Sequence, residues 1–220
     1  MKTNRKTDNY HFSSFSKKHL VNNKAVYIGV FVKLSVAITG ASGVVYGKRL
    51  LEELKKHKIE THLVVSEAAK KIVNHELEIS EKSLENLADY IYDVDDWSAP
   101  IVSGSYKTDG VVVVPCSMKT LAGIANGFAE NVILRAADVA LKEKRKLVLV
   151  PRETPLNSIH LQNMLTLTNQ GAYIVPAMPA FYHKPKTVEE IVDFVVGRIL
   201  DVLNVDHSLY KRWNEIQKKK

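Results

Sequence analysis

The sequence predicts an α/β fold: one doubly wound parallel sheet with helices on both faces, in a single domain. Three observations carry this. Apolar, mostly β-branched runs recur at Leu34–Ile38, Ile59–Val65, Gly110–Pro115 and Lys146–Val150, as strands of a buried parallel sheet do. Stretches with apolar residues at helical spacing lie between them. Two runs pass without slack into small polar turns that open helices, at Thr39-Gly40-Ala41-Ser42-Gly43 and at Cys116-Ser117-Met118-Lys119-Thr120. A chain of 220 residues holds one such core and not two.

The first unit is Leu34–Ile38, the turn at 39–43, and a helix with Gly47, Leu50, Leu51 and Leu54 on its inner face. Val26–Val32 before it either extends the strand backwards or forms a short arm. Small residues let backbone N–H groups at a helix N-terminus approach an anion, which the helix dipole favours. The turn reads as a phosphate cradle or as a plain βα connection. Glycines at 40, 43 and 47 do not have the G-x-G-x-x-G spacing of dinucleotide sites.

The second strand, Ile59–Val65, ends at Ser66, which serves as an N-cap for the next helix, as a ligand donor, or as both. Residues 74–110 are irregular. Asp93, Asp95 and Asp96 face no second acidic cluster in the sequence, so they read as a solvated loop and not as a metal site. Trp97 beside them is either a lid over a pocket or a plug for the core. Gly110–Pro115 is the clearest buried strand, and its turn offers Ser117, Lys119 and Thr120 as donors. Two such turns in one sheet predict the two lips of a cleft at a topological switch point.

A helix over 131–144 carries Arg135 close to its apolar stripe, with Asp138 or a ligand phosphate as partner, and Lys142 near its end. The strand 146–150 leads to Arg152 and Glu153, just past a strand's carboxyl end, where arginine suits phosphate. A helix over 156–169 and a short strand over 172–175 follow. Thr187 then caps a helix reaching about Leu203, with Val188, Ile191, Val192, Val195 and Ile199 as its stripe. Arg198, seven residues after Ile191, is expected on the buried face, where it asks for an anion.

The net charge of +7 sits in the ends: +5 in residues 1–32 and +4 in 211–220, leaving the body, 33–210, at −2. A nucleic-acid-binding face needs its charge clustered on the fold, so none is expected. Residues 1–32 read as a poorly ordered basic extension, a targeting arm or the product of an early start codon; 211–220 read as a basic tail. No run approaches a membrane span or a secretory signal. The single cysteine, Cys116, fits a reducing cytoplasm and leaves no zinc cluster.

Several motifs occur together and in order: Thr39-Gly-Ala-Ser-Gly43 with Tyr46-Gly47, Pro115-Cys-Ser-Met-Lys-Thr120, Glu130-Asn131 with Arg135-Ala-Ala-Asp-Val-Ala-Leu-Lys142, Leu149-Val-Pro-Arg-Glu-Thr-Pro155, His160-Leu-x-Asn-Met164 and Pro179-x-Phe-Tyr-His183. Over about residues 33–213 the chain resembles the flavin prenyltransferases (UbiX-like). The resemblance implies a Rossmann-like (flavodoxin-like) fold. It implies transfer of a dimethylallyl group from dimethylallyl phosphate to N-5 and C-6 of reduced FMN, without a metal, giving prenylated FMN for UbiD-like decarboxylases. It implies FMN contacts at Gly40, Ala41, Ser42, Ser66, Ser117, Met118, Lys119, Thr120 and Arg152. Prenyl-phosphate contacts fall on Tyr182 and Arg198, with Arg135 and Lys142 as further phosphate neighbours. Glu153 is implied as the proton-transfer residue, with Ser42 also at the reaction centre, and Trp97 as the aromatic lining the allyl pocket. A homo-oligomer, a dodecamer with sites completed by neighbouring subunits, is implied as well. The competing readings are an FMN-dependent decarboxylase of aromatic acids or peptidyl cysteine, and a non-catalytic flavin carrier.

Overall fold

A computed structural model describes residues 16–21, 24–29 and 32–217. The chain divides into two units, 1–31 and 32–220. In the first, β1 (Ser16–Val21) and β2 (Lys24–Gly29) pair antiparallel, with Ser16 opposite Gly29 and Val21 opposite Lys24. Residues 26–29 therefore belong to this hairpin and do not extend the first strand of the main sheet. The rest of the basic extension, 1–15, 22–23 and 30–31, lies outside the described residues, as do 218–220 of the basic tail.

The second unit is built on β3 (Lys33–Ile38), β4 (Glu60–Val65), β5 (Tyr90–Tyr92), β6 (Gly110–Cys116), β7 (Lys146–Pro151) and β8 (Tyr173–Ile174). They form one parallel sheet in the order β5-β4-β3-β6-β7-β8. Without the short edge strand β5, the remaining five run 2-1-3-4-5 in chain order, the flavodoxin-like arrangement. The order reverses between β3 and β6, so the switch point falls between the two turns that the sequence singled out.

Side chains alternate across each strand. Val111, Val113, Leu147 and Leu149 face a core shared with α4 (Met118–Ala125), α5 (Val132–Lys142) and α6 (Ser158–Asn169). On the opposite face α1 (Val44–Lys56) packs against α2 (Glu67–Leu77) and α7 (Val188–Leu203). Arg49 of α1 donates to Asp193 of α7 at 2.7 Å and joins two of these helices. Residues 74–110 hold more than a loop: α3 (Glu81–Glu85), β5 and a 3-10 turn at Pro100–Val102. A three-residue strand has too few positions to show a period, and β5 exists only because its backbone pairs with β4. The last helix, α8, spans Trp213–Gln217.

Candidate active site

The carboxyl ends of β3, β4, β6 and β7 converge on one cavity of about 810 Å³ at the switch point. Gly40 reaches it from the turn after β3, Ser66 from the end of β4, Ser117, Met118, Lys119 and Thr120 from the end of β6, and Glu153 from the loop after β7. The opposite wall is apolar, with Val94, Phe128, Ile133 and Leu134. A hydroxyl-lined edge facing an apolar wall suits a ligand with an anionic tail and a flat ring system.

One buried hydroxyl holds the two turns together. Thr39 Oγ1 donates to the Pro115 carbonyl at 2.8 Å and accepts from the Ser117 backbone N–H at 2.8 Å. Ser66 Oγ accepts from Ala69 N, and Ser117 Oγ from Thr120 N, so each caps its helix and lines the cavity as well. Gly40 is needed for space, since a Cβ there would lie 2.6 Å from Ala68 Cβ. Gly43 has φ +97°, which lets the chain turn into α1 without a side-chain cap. Glu76 of α2 supplies the missing acceptor, taking the N–H groups of Gly43 and Val44 at 2.9 and 3.3 Å. Arg152 Nε donates to the Ser42 carbonyl at 3.1 Å, joining the loop after β7 to the turn after β3; Ala41, Ser42 and Arg152 are not among the residues lining the cavity. Glu153 Oε1 accepts from Thr154 N at 3.0 Å. Cys116 is buried, and that burial pushes its thiol pKa up, which disfavours the thiolate.

The remaining candidates lie elsewhere on this chain. Trp97 is half exposed and does not line the cavity, although Val94 of its loop does. Arg135 is held by Asp138 at 2.6 Å and by the Val102 carbonyl at 3.1 Å, so the partner three residues on is the one it takes. Lys142 pairs with Glu143 at the far end of α5 from Asn131, Ile133 and Leu134. Tyr182 packs edge-on against Phe194 and Trp213.

Arg198 corrects the expectation of a buried cation. Its side chain is 50 % exposed and paired with Asp201. The seven-residue spacing to Ile191 is real, but Ile191 is only half-buried, at the rim of the stripe, and Val188 is exposed. The buried face is centred instead on Val192, Val195, Val196 and Ile199.

The sequence reading assigned no role to Ala68, Phe128, Asn131, Ile133 or Leu134, all of which line the cavity. The signal was present in Asn131, which caps α5 by accepting from Leu134 N at 3.0 Å. α5 follows α4 and returns toward the amino end of the sheet, so its first turn must start at the carboxyl edge. Among the described residues, no group of three or more His, Cys, Asp or Glu is placed to hold a metal ion.

Fold and cleft together define a doubly wound α/β protein with its ligand site at the switch point, and the Flavoprotein family profile matches residues 30–200. The flavin prenyltransferase UbiX of Methanocaldococcus jannaschii is 57 % identical over 185 residues, covering 84 % of this chain and all of that one. The structure of AnUbiX (PadA1), in complex with FMN and dimethylallyl pyrophosphate, superposes with a TM-score of 0.82 at 48 % identity over 83 % of this chain and 97 % of that one. A dodecameric FMN-dependent UbiX-like decarboxylase from Escherichia coli O157:H7 gives 0.81 at 51 % identity, over 83 % and 99 %. The chain belongs to the UbiX-like flavin prenyltransferase family. Its cleft fits FMN on its own terms: the glycine at 40 leaves the turn open, the hydroxyls line one edge, and the apolar wall faces them.

Proposed function

We propose that this chain transfers a dimethylallyl group from dimethylallyl phosphate to N-5 and C-6 of reduced FMN. The observation that carries the reading is the convergence of Gly40, Ser66, Ser117–Thr120 and Glu153 on one cavity, in a chain this similar to proteins of that activity. Gly40, Ala41 and Ser42 with Ser66, Ser117, Met118, Lys119, Thr120 and Arg152 hold FMN, and Arg152 supplies a fork of donors for its phosphate. The donor's C–O bond breaks, and phosphate leaves with the electron pair and the N-5 proton. Bonds form from the five-carbon unit to N-5 and C-6, and the alkene gains the proton that C-6 gives up. Glu153 at the cavity wall moves that proton. An aromatic face over the allyl carbon stabilises positive charge there by roughly 0.5–2 kcal/mol; Trp97, which does not line the cavity of its own chain, would have to supply that face from a neighbouring copy. A monophosphate leaving group is held by cations and hydroxyls, so no metal is called for. The product serves a UbiD-like decarboxylase, and Cys116, a lone buried thiol, fits a cytoplasmic setting.

The donor-phosphate residues Tyr182, Arg198, Arg135 and Lys142 are absent from the cavity wall of their own chain. We propose that neighbouring copies supply them in a homo-oligomer, a dodecamer like that of the Escherichia coli relative. Supporting this, α6 buries only Leu167 and exposes Ile159, Leu161 and Leu165 by more than half each, an apolar face that calls for a partner. No helix among the described residues is long and apolar enough to cross a membrane.

The test is to incubate the protein with reduced FMN and dimethylallyl phosphate and weigh the flavin. Addition of one five-carbon unit is expected; bound FMN of unchanged mass would leave a carrier. The second reading, a decarboxylase in its own right, is favoured by the 51 % identity to the Escherichia coli UbiX-like decarboxylase. It predicts CO2 release from an aromatic acid with no second protein present.

A further inference from the structure

Arg198 sits in a densely hydrogen-bonded cluster outside the cleft, and Asp201, one turn on, is its centre. The two carboxylate oxygens of Asp201 take four donors. Oδ2 accepts from Arg198 Nη1 at 2.7 Å and from the Tyr210 hydroxyl at 2.6 Å. Oδ1 accepts from Arg212 Nη2 at 2.7 Å and from His207 Nε2 at 3.2 Å. The Leu209 N–H donates to His207 Nδ1 at 3.3 Å, so the imidazole proton is on Nε2, pointing at Asp201. A carboxylate has about four lone-pair positions, and all of these are used. Burial opposes ionisation of Asp201, but the hydrogen bonds from Arg212, Tyr210 and His207 outweigh it and hold its pKa down at about 2.

Each donor comes from the segment 207–212 or from α7 itself, and Gly197 lets them meet. A Cβ at Gly197 would lie 2.6 Å from the Tyr210 ring and 2.7 Å from the His207 ring. The cluster engages Arg198 through one nitrogen only. Nη1 carries the bond to Asp201 and a longer one to Tyr210 at 3.5 Å. Among the described residues, Nε and Nη2 of Arg198 make no hydrogen bond. They form the flat two-donor edge that matches two oxygens of a phosphate. Arg198 also lines a small hollow of about 330 Å³ with Pro176, Met178 and Phe194.

We infer that Asp201 is the positioning residue for the donor phosphate: with Tyr210, His207 and Arg212 it grips Arg198 by Nη1 and leaves the Nε–Nη2 edge facing outward for two phosphate oxygens. This rests on the proposed role of Arg198 in holding dimethylallyl phosphate. Two arginines and one aspartate leave the cluster with net positive charge, so Asp201 fixes the guanidinium without cancelling its attraction for an anion.

A double-mutant cycle on the full chain tests this, with rates measured against dimethylallyl phosphate at saturating reduced FMN. Asp201→Asn keeps the shape and removes the charge. It is expected to raise KM for dimethylallyl phosphate at least ten-fold, to change kcat less than three-fold, and to leave FMN affinity within two-fold. In an Arg198→Ala background the same change is expected to add less than two-fold. Tyr210→Phe, which keeps the ring and removes one donor, is expected to raise KM two- to five-fold, again only when Arg198 is present. An unchanged KM in Asp201→Asn, or an equal rise with and without Arg198, would overturn the positioning role while the reading of Arg198 stands. If Asp201→Asn does not fold, the same two outcomes are read from Tyr210→Phe. Arg198→Ala with an unchanged KM would overturn both.

Discussion

Thr39 and Ser117 are joined across the switch point by a single hydroxyl, which accepts the Ser117 N–H at 2.8 Å and donates to the Pro115 carbonyl at 2.8 Å. Thr39 is buried, so water cannot replace either bond. Thr39→Val keeps the shape and leaves a donor and an acceptor unpaired, at a cost of about 2–4 kcal/mol. Thr39→Ser keeps the hydroxyl and loses one methyl, about 1 kcal/mol. Denaturant midpoints of the flavin-free protein separate the two. FMN affinity is expected to fall with Thr39→Val because the two lips of the cleft are no longer held in register.

Gly40 and Ala68 set the clearance between the β3 turn and the start of α2. With 2.6 Å between a new Cβ and Ala68 Cβ, Gly40→Ala must move the backbone of the turn. FMN affinity is expected to fall at least ten-fold, roughly 1.4 kcal/mol or more, while the thermal transition stays cooperative. The double variant Gly40→Ala with Ala68→Gly is expected to regain part of that loss in a flavin fluorescence titration.

Glu153 meets the cavity from the loop after β7, and Glu67 and Glu130 also line it, so the exchange of Glu153 alone tests which carboxylate carries the proton. Glu153→Gln preserves size and polarity. Product formation is expected to fall about 10²–10⁴-fold with FMN affinity unchanged, read by mass spectrometry and by flavin titration on the same sample.

Stability is expected to fall in two steps on acidification. His62 is buried among Tyr90, Tyr92 and Tyr106, and burial lowers its pKa, partly opposed by its hydrogen bond to Glu60. The unfolded chain therefore takes up this proton first, and stability drops as pH falls below about 6.5. Asp201 goes the other way round: its folded value is about 2 against an ordinary 3.8, so its contribution is present above 3.8 and lost as pH falls toward 2. Melting temperatures from pH 8 to pH 2 should show both steps. His62→Gln is expected to flatten the upper one only, and Asp201→Asn the lower one only.

The apolar face of α6 gives a test of assembly. Leu161→Glu combined with Leu165→Glu puts charge where a neighbouring copy is expected. Light scattering should show a smaller particle with unchanged far-ultraviolet circular dichroism. Product formation should fall with it, because the donor-phosphate groups would come from other copies.

The sequence by itself determined the strands β3, β4, β6 and β7, the two small-residue turns, and the caps at Ser66 and Thr187. These are local: alternation, helical period and capping act over two to four residues and can be read in order. Only the tertiary structure decided the rest. β5 needed β4 beside it, and Glu76 reached the start of α1 from more than thirty residues away in the chain. Arg198 shares the azimuth of Ile191, but whether that azimuth is the centre of a buried face or its rim depends on which elements pack against α7, and Asp201 and Tyr210 claimed the cation at that rim. Periodicity gives the direction in which a side chain points along its own helix, and contacts between distant segments determine what it meets there.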